Sequence, residues 1–489
     1  MNKTFTRIAK LRNIEYFLLA MILLGGFVVR LYKITNPIAD WHSFRQADTA
    51  AVARLYLENG INLLYPRYYD LSSTQSRLYN PEGYRFVEFP LYNAIHATAA
   101  RTFSMVSFEI WGRLISIFFT LGSAVILFVL GRRFIGKWGG VLASFFFLFL
   151  PFNIYFTRVI LPEPTAIFFA LAGILFYVLF LDKERNYSLF LSGIFFSIGI
   201  LIKPFAAFYL VPILYLSYKK YGLRGIFKNA RVLIKLLVFT DIILVPFLLW
   251  RSWISKFPAG IPGWAWMFNG DGIRFKPAFF RWIFGERLTK LILGFWGLIP
   301  FVFSILKPNK KSLFIHFFLL GMLLYVVIFA TVNVRHDYYQ TIAIPAVALA
   351  LSSGVIYLWN AKEFDLRIAR AITVFSIFMI FASGVGEIKE LYKVNHPEIV
   401  EAGEALDKIA PKDAIVIAPY NGDTAFLYQT KRRGWPVIDS SVDEIIKKGA
   451  DYYVTVSLGD PDTLDVVSRF EVIKRTNTYL IADLHKPKK

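Results

Sequence analysis

Apolar residues in this chain come in long blocks separated by polar connections. Eleven blocks, near 15–33, 109–130, 138–156, 164–181, 187–202, 204–218, 232–250, 289–306, 313–331, 341–359 and 369–385, are nearly free of charge. Several reach about 18 residues or more, enough for a helix to cross a bilayer core of roughly 30 Å. Lipid cannot satisfy an open sheet edge, so the blocks predict an all-α polytopic bundle of about eleven transmembrane helices. The fifth and sixth meet at a tight turn, Lys203-Pro204; merging them would break the charge alternation that follows.

Basic residues gather in every second connection: Arg132, Arg133 and Lys137; Lys183 and Arg185; Lys219, Lys220, Arg224, Lys228, Arg231 and Lys235; Lys307, Lys310 and Lys311; Lys362, Arg367 and Arg370. All fall on the side of the N-terminal tail, which carries Lys3, Arg7, Lys10 and Arg12. Positive charge marks the cytoplasmic side, and an odd number of spans then puts the C-terminus outside. No small-residue cleavage pattern follows the first apolar block, which predicts an uncleaved signal anchor. The outer connections are 34–108, a turn near 158–164, 251–288 and 332–340. Within the first, 48–59 and 92–107 repeat apolar residues at helical spacing (Val52, Leu55, Tyr56; Ile95, Ala99, Phe103). They predict helices that lie in the interface or cap the bundle.

Past residue 387 the blocks give way to short alternating runs. Strands are expected at 414–420, 451–458 and 477–484, and helices at 397–410, 422–430 and 441–449. The chain therefore divides into a membrane part, 1–386, whose first outer loop is 34–108, and a small extracytoplasmic α/β domain, 387–489. The latter has no Gly-rich phosphate loop and no catalytic constellation, and a docking or covering role is expected.

Composition agrees: 56% of residues are hydrophobic and 18% charged, well to the apolar side of soluble proteins. A net charge of +21 would suit nucleic acid only if it lay on a soluble face; here it lies between apolar blocks, so no nucleic-acid partner is expected. The absence of cysteine removes disulfides, thiolate catalysis and cysteine metal sites. His42, His96, His316 and His336 show no metal-binding pair spacing. No cofactor is indicated, though a divalent cation held by carboxylates stays compatible with the sequence.

The run IADWHSFRQAD (38–48) places Asp40, His42, Arg45 and Asp48 at a membrane surface, where charge is costly and usually functional. A reaction there on a lipid-linked substrate needs a base, cations for phosphate and a groove for the lipid tail. Asp40, Asp48, Glu88 and Glu163 could each deprotonate an acceptor hydroxyl; equally, Asp48 could cap a helix and the others pair with arginines. Lys203, ending an apolar block beside a proline, either snorkels or meets an anion. Arg158, Glu163 and NVRHDYYQ (333–340), with Arg335, His336, Tyr338 and Tyr339, belong to the same surface. Arginine can grip phosphate through two parallel hydrogen bonds. Asp241, the one acid deep in a span, reads as a buried hydrogen-bonding group.

Four pieces in order, ADTAAVARLYLENG (47–60), EFPLYN (88–93), RVILPEP (158–164) and LIKPF (201–205), carry a likeness. The sequence resembles the GT-C membrane glycosyltransferases, in particular the family 39 group of protein O-mannosyltransferases and aminoarabinose transferases. The resemblance implies an integral plasma-membrane enzyme that moves a sugar, with inversion, from a polyprenyl-phosphate donor to a lipid, glycan or protein acceptor on the outer face. It implies a catalytic acid among Asp40, Asp48 and Glu163. Substrate would be bound by His42, Arg45, Glu88, Arg158, Lys203, Arg335, His336 and Tyr339. The family's acid sits nine residues before the helix arginine; here that position is Arg45, flanked by Asp40 and Asp48, and the choice between them is open. Glu88 stands where the family has a basic residue, and the glycine after Lys203 is missing. A transporter or flippase is the rival reading and predicts ionisable residues and helix breaks at mid-membrane in matched halves. A non-catalytic scaffold presenting the C-terminal domain is a third.

Overall fold

The structure, a computed structural model, describes residues 2–307 and 313–488, with side chains from Ile14 onward. Lys310, Lys311 and the side chains of Lys3, Arg7, Lys10 and Arg12 lie outside the described residues.

The first apolar block forms α1 (Asn2–Arg30), and the loop after it holds α2 (Ser43–Asn59) and α3 (Leu91–Thr102). Every residue of α2 from Arg45 to Tyr56 is buried, so it is a cap packed under other protein and not a helix floating in the interface. The bundle continues through α4 (Phe108–Phe134), α5 (Lys137–Phe149), α6 (Pro151–Phe156), α7 (Glu163–Lys183), α8 (Asn186–Ile202), α9 (Val211–Lys228) and α10 (Ala230–Ile254). Proline explains two of the breaks. Pro151 and Pro204 each lack an N–H and sit where a new helical segment starts. The first splits the block 138–156 into α5 and α6; the second opens a 3-10 turn, Pro204–Leu210, ahead of α9.

Two short helices, α11 (Trp266–Asn269) and α12 (Pro277–Phe280), lead into a π-helical stretch, Arg281–Ile292, and then α13 (Leu298–Leu306). The block 289–306 is thus not one helix. Gly294 and Phe295 have φ of 51° and 61°, and a Cβ on Gly294 would lie 2.5 Å from the Ile380 carbonyl oxygen, so the chain turns where a neighbouring helix comes too close for a side chain. The bundle closes with α14 (Leu313–Ile328), α15 (Ala330–Arg335), a 3-10 turn Asp337–Ala343, α16 (Ile344–Asn360) and α17 (Leu366–Ile388).

Each of the eleven apolar blocks falls largely on helix, although those at 138–156, 289–306 and 313–331 are interrupted and 15–33 runs into the turn after α1. Among the described residues, five helical segments are long and apolar enough to cross a membrane: α4, α7, α10, Asp337–Asn360 and the segment that begins with α17. Shorter apolar helices are α5, α8 and α14. Only 11% of the apolar window of α10 is buried, and Leu237, Leu248 and Leu249 on it are exposed; such a face suits lipid and not water. The expectation for Asp241 fails. Phe239 and Ile243 face the bundle, and at about 100° per residue Asp241 falls on the opposite, exposed side.

Ion pairs tie the basic connections together at one end. Arg132 meets Glu15 at 3.2 Å, Arg133 meets Asp182 at 2.6 Å, Lys220 meets Glu184 at 3.1 Å and Lys307 meets Glu363 at 3.7 Å.

At the other end sits the α/β part: α18 (Pro397–Ile409), β1 (Ile415–Ile417), α19 (Thr424–Thr430), β2 (Arg433–Trp435), α20 (Val442–Lys447), β3 (Tyr452–Thr455), α21 (Pro461–Arg469), β4 (Phe470–Arg475) and β5 (Leu480–Pro487). The sheet order is β2-β1-β3-β5-β4, with β1 parallel to both neighbours and β5 antiparallel to both of its own. The first loop extends this sheet: Gly434 N–H donates to Tyr69 O at 2.9 Å and Leu71 N–H to Gly434 O at 2.8 Å. One apolar cluster joins Ala50, Ala51 and Leu55 of α2 to Leu406 of α18 and Phe426 and Leu427 of α19. The α/β part is therefore knit onto the first loop.

Candidate active site

The chain leaves α1 and turns at His42, whose φ of 54° is left-handed, into the first turn of α2. Beneath this turn Asp40 is fully enclosed. Its Oδ2 lies 3.1 Å from Arg158 Nη2, and its Oδ1 accepts from Gln46 Nε2 at 2.6 Å. Arg158 also donates to the Tyr32 and Lys33 carbonyls at 2.8 and 2.7 Å. Burial pushes the Asp40 carboxyl above the usual range, and Arg113 and Arg158 oppose it. Asp40 and Arg158, with side chains 0% exposed, thus form a joint between loop and bundle. The sequence places Arg158 beside Lys203; instead its guanidinium is taken up by Asp40 and the turn that follows α1.

One turn of α2 carries Arg45 and Asp48, spaced to share a face. Arg45 pairs with Glu88, which lies in the extended approach to α3. Lys203 follows the last residue of α8, where Pro204 ends the helix; its backbone is extended. Its Nζ sits 2.8 Å from Glu88 Oε1 and 2.8 Å from Oε1 of Glu163, the first residue of α7. The same ammonium lies 5.5 Å from the centre of the Tyr339 ring, which stacks on Tyr338 at 4.4 Å. Lys203 is buried among carboxylates and does not snorkel.

Asp48 accepts from Arg85 at 2.5 Å through Oδ2 and from the Thr424 hydroxyl of α19 at 2.7 Å through Oδ1. Arg45, Asp48, Arg85, Glu88 and Asn93 line a small pocket. Nε and Nη1 of Arg85 are buried with no hydrogen-bond partner, two donors in want of an acceptor.

Beside this cluster, His42 Nε2 lies 2.7 Å from Asp337 Oδ1, and Trp41 Nε1 donates to Asp337 Oδ2 at 3.0 Å. Arg287 Nη1 lies 3.7 Å from Asp337 Oδ2. The His336 ring stands 5.7 Å from that of His42. Burial, with His42 and nearby arginines, lowers His336 to about 4, which leaves it neutral at neutral pH. Arg335 does not join the cluster. It pairs with Asp271 at 3.4 Å with its side chain 57% exposed, because α15 ends between Arg335 and His336 and the extended backbone at His336 sends the two side chains apart. Among the described residues no three of His, Asp and Glu converge as a metal-holding set.

Three residues of this site escaped the sequence reading. Asp337 lay unremarked inside NVRHDYYQ. Arg85 sits three residues before Glu88 in a loop without periodicity. Thr424 is 376 residues from the carboxylate it binds, and nothing local marks it. Arg54, part of the first resembling stretch, is not in the site: it pairs with Glu109 and donates to Tyr428 of α19 at 2.6 Å.

Residues 90–250, from α3 to α10, match the family model described as dolichyl-phosphate-mannose-protein mannosyltransferase. No curated protein sequence matches the chain. In three dimensions it is similar to ArnT from Cupriavidus metallidurans, solved bound to undecaprenyl phosphate, with a TM-score of 0.65 over 95% of this chain and 97% of that one at 12% identity. The chain has the GT-C glycosyltransferase fold. It is an integral membrane protein. The oligosaccharyltransferase of Archaeoglobus fulgidus is also similar, with a TM-score of 0.59 at 12% identity, covering 90% of this chain and 68% of that one. The GT-C fold extends through the α/β part, since the likeness to ArnT takes in nearly the whole of both chains.

Proposed function

We propose that this GT-C protein transfers a sugar from a polyprenyl-phosphate-linked donor to a hydroxyl on a lipid, glycan or protein acceptor at the outer face of the membrane. The observation that carries the reading is the convergence of Lys203 and Arg45 on one carboxylate, beside the two unpartnered donors of Arg85. Three buried cations at the end of an apolar bundle suit a phosphate whose lipid tail lies along the helices. The undecaprenyl phosphate bound by ArnT supports a donor of that class.

In the reaction the acceptor oxygen attacks the anomeric carbon as the bond from that carbon to the phosphate oxygen breaks, and the configuration inverts. The phosphate leaves with the electron pair, and its growing charge falls on Arg45, Lys203 and Arg85; fixed cations in a dry site stabilise that charge without reorganising. A carboxylate takes the hydroxyl proton. In this reading Asp40, Asp48 and Glu163 are chiefly the anions that hold Arg158, Arg85 and Lys203 in place. The charged cluster sits at one end of the bundle and Asp241 points out of it, an arrangement that favours a surface reaction over a translocation path.

The test offers purified protein a radiolabelled polyprenyl-phosphate sugar and an extract of acceptors. Wild type is expected to transfer label, and Lys203→Met to lose about 10²–10³-fold, the scale of one missing charge-stabilising donor. Absence of transfer from every polyprenyl-phosphate donor refutes the reading.

A further inference from the structure

Four carboxylates approach the cluster, and they differ in what they can still accept. Asp40 and Asp48 have both oxygens bonded; Glu163 has Oε1 against Lys203 and an unpartnered Oε2, but both oxygens are buried and it does not line the pocket. Glu88 is different. Its contacts with Arg45 and Lys203 fall on Oε1 alone, and its side chain is 12% exposed against 0%, 2% and 1% for the other three. It also lines the pocket. The backbone on both sides is pinned, with Phe86 N–H donating to Gly260 O at 2.8 Å and Phe89 N–H to Leu201 O at 3.0 Å. The Glu88 side chain alone is left to move.

The two cations best placed for a donor phosphate are therefore already occupied by a carboxylate with a spare oxygen. Resting on the function proposed above, we propose that Glu88 is the catalytic base and that the donor's own phosphate releases it by taking Arg45 and Lys203. Before the donor arrives Glu88 is an internal stand-in for phosphate. Once displaced, it sits beside the phosphate and so beside the anomeric carbon, where Oε2 receives the acceptor proton. The O–H bond of the acceptor breaks, its oxygen bonds to the anomeric carbon, and the phosphate leaves as a monoester. When that product departs, Glu88 gives its proton to water and the ion pairs re-form.

Electrostatics support the sequence of events. Burial alone would raise the Glu88 carboxyl; Arg45, Lys203 and Arg85 hold it below the usual range. With two of those cations turned to phosphate, burial dominates and the group becomes a better proton acceptor. The other ionisable neighbours are Asp48 across the pocket, Glu163 behind Lys203, and the Tyr338 and Tyr339 phenols, none of which supplies a replacement cation.

The experiment measures binding and transfer separately. Glu88→Gln removes the competing anion and the base together, so binding of polyprenyl phosphate, followed by displacement of a labelled lipid, is expected to tighten by roughly tenfold while transfer falls by about 10²–10⁴-fold. Glu88→Asp keeps the charge and is expected to recover part of the transfer with wild-type-like binding. Weaker lipid binding in a folded Glu88→Gln protein, or undiminished transfer, overturns the proposal. If Glu88→Gln does not fold, Glu88→Asp decides alone: a base one methylene short must slow transfer without weakening lipid binding, and loss of both overturns the proposal. If wild type transfers nothing, the function fails, and the tighter binding of Glu88→Gln still reports on the stand-in.

Discussion

Arg158 and Lys203 are both buried cations paired with carboxylates, and activity per folded molecule is what separates their predicted phenotypes. Asp40 has one arginine in direct contact, Arg158, with no exposed face on either side chain, and Arg113 acts on it from farther off. Removing one member of such a pair leaves an uncompensated charge inside and costs about 3–5 kcal/mol. Arg158→Met is therefore expected to lower the melting temperature of the purified protein and the yield of folded protein, with the activity of each folded molecule little changed. Lys203 touches two carboxylates and lies next to the pocket, so Lys203→Met should cost stability as well but, unlike Arg158→Met, should also lose transfer per folded molecule. Unaltered melting in Arg158→Met would show that the joint is not structural. The difference was not legible in the sequence, where Arg158 and Lys203 both read as phosphate ligands. What separates them is the turn after α1: its Tyr32 and Lys33 carbonyls accept from Arg158, and no local pattern announces that.

Among the elements, the contact of α19 with α2 governs how the α/β part sits over the site. Asp423 caps α19, accepting from Ala425 N–H at 2.7 Å, and lies close enough to feel Asp48. Burial, aided by Asp48, raises its carboxyl to about 6. A carboxyl raised in the docked state holds its proton more tightly docked than free. Its contribution is fully present below its free value of 3.8 and is lost as pH rises through about 6. A shift of that size is worth on the order of 3 kcal/mol. Limited proteolysis of the C-terminal part is expected to quicken between about pH 4 and 6, and Asp423→Asn, which still caps a helix, to flatten that rise; a flat wild-type profile refutes it. Helices as a class were legible because blocks of apolar residues leave a chain in lipid no other choice. In the α/β part the alternating strands and the helices α18, α19 and α20 were legible, and α21, β2 and β4 were not. β2 is Arg433–Trp435 with a glycine at its centre, held by close backbone pairing: a Cβ on Gly434 would stand 1.7 Å from Val416 O. Neither β2 nor the half-exposed β4 carries a pattern.

For the molecule as a whole, the two ends of the bundle are chemically distinct, and that fixes an expected orientation. One end gathers Arg132, Arg133, Lys220 and Lys307 into ion pairs that bridge successive connections. The other carries the candidate site and, through the joint core of α2 and α19, the α/β part. A surplus of basic residues in short connections marks the cytoplasmic side, so the site and the C-terminal part should face outward. The chain contains no cysteine, so single cysteines report sidedness without background. Ser457 and Arg185 are both exposed and lie at opposite ends. In intact cells a membrane-impermeant maleimide is expected to label Ser457→Cys and to spare Arg185→Cys until the membrane is opened. The reverse pattern would put the cluster of Glu88 and Lys203 on the cytoplasmic face. A lipid-linked sugar would then have to be met there, and the basic connections, against their charge, would stand outside.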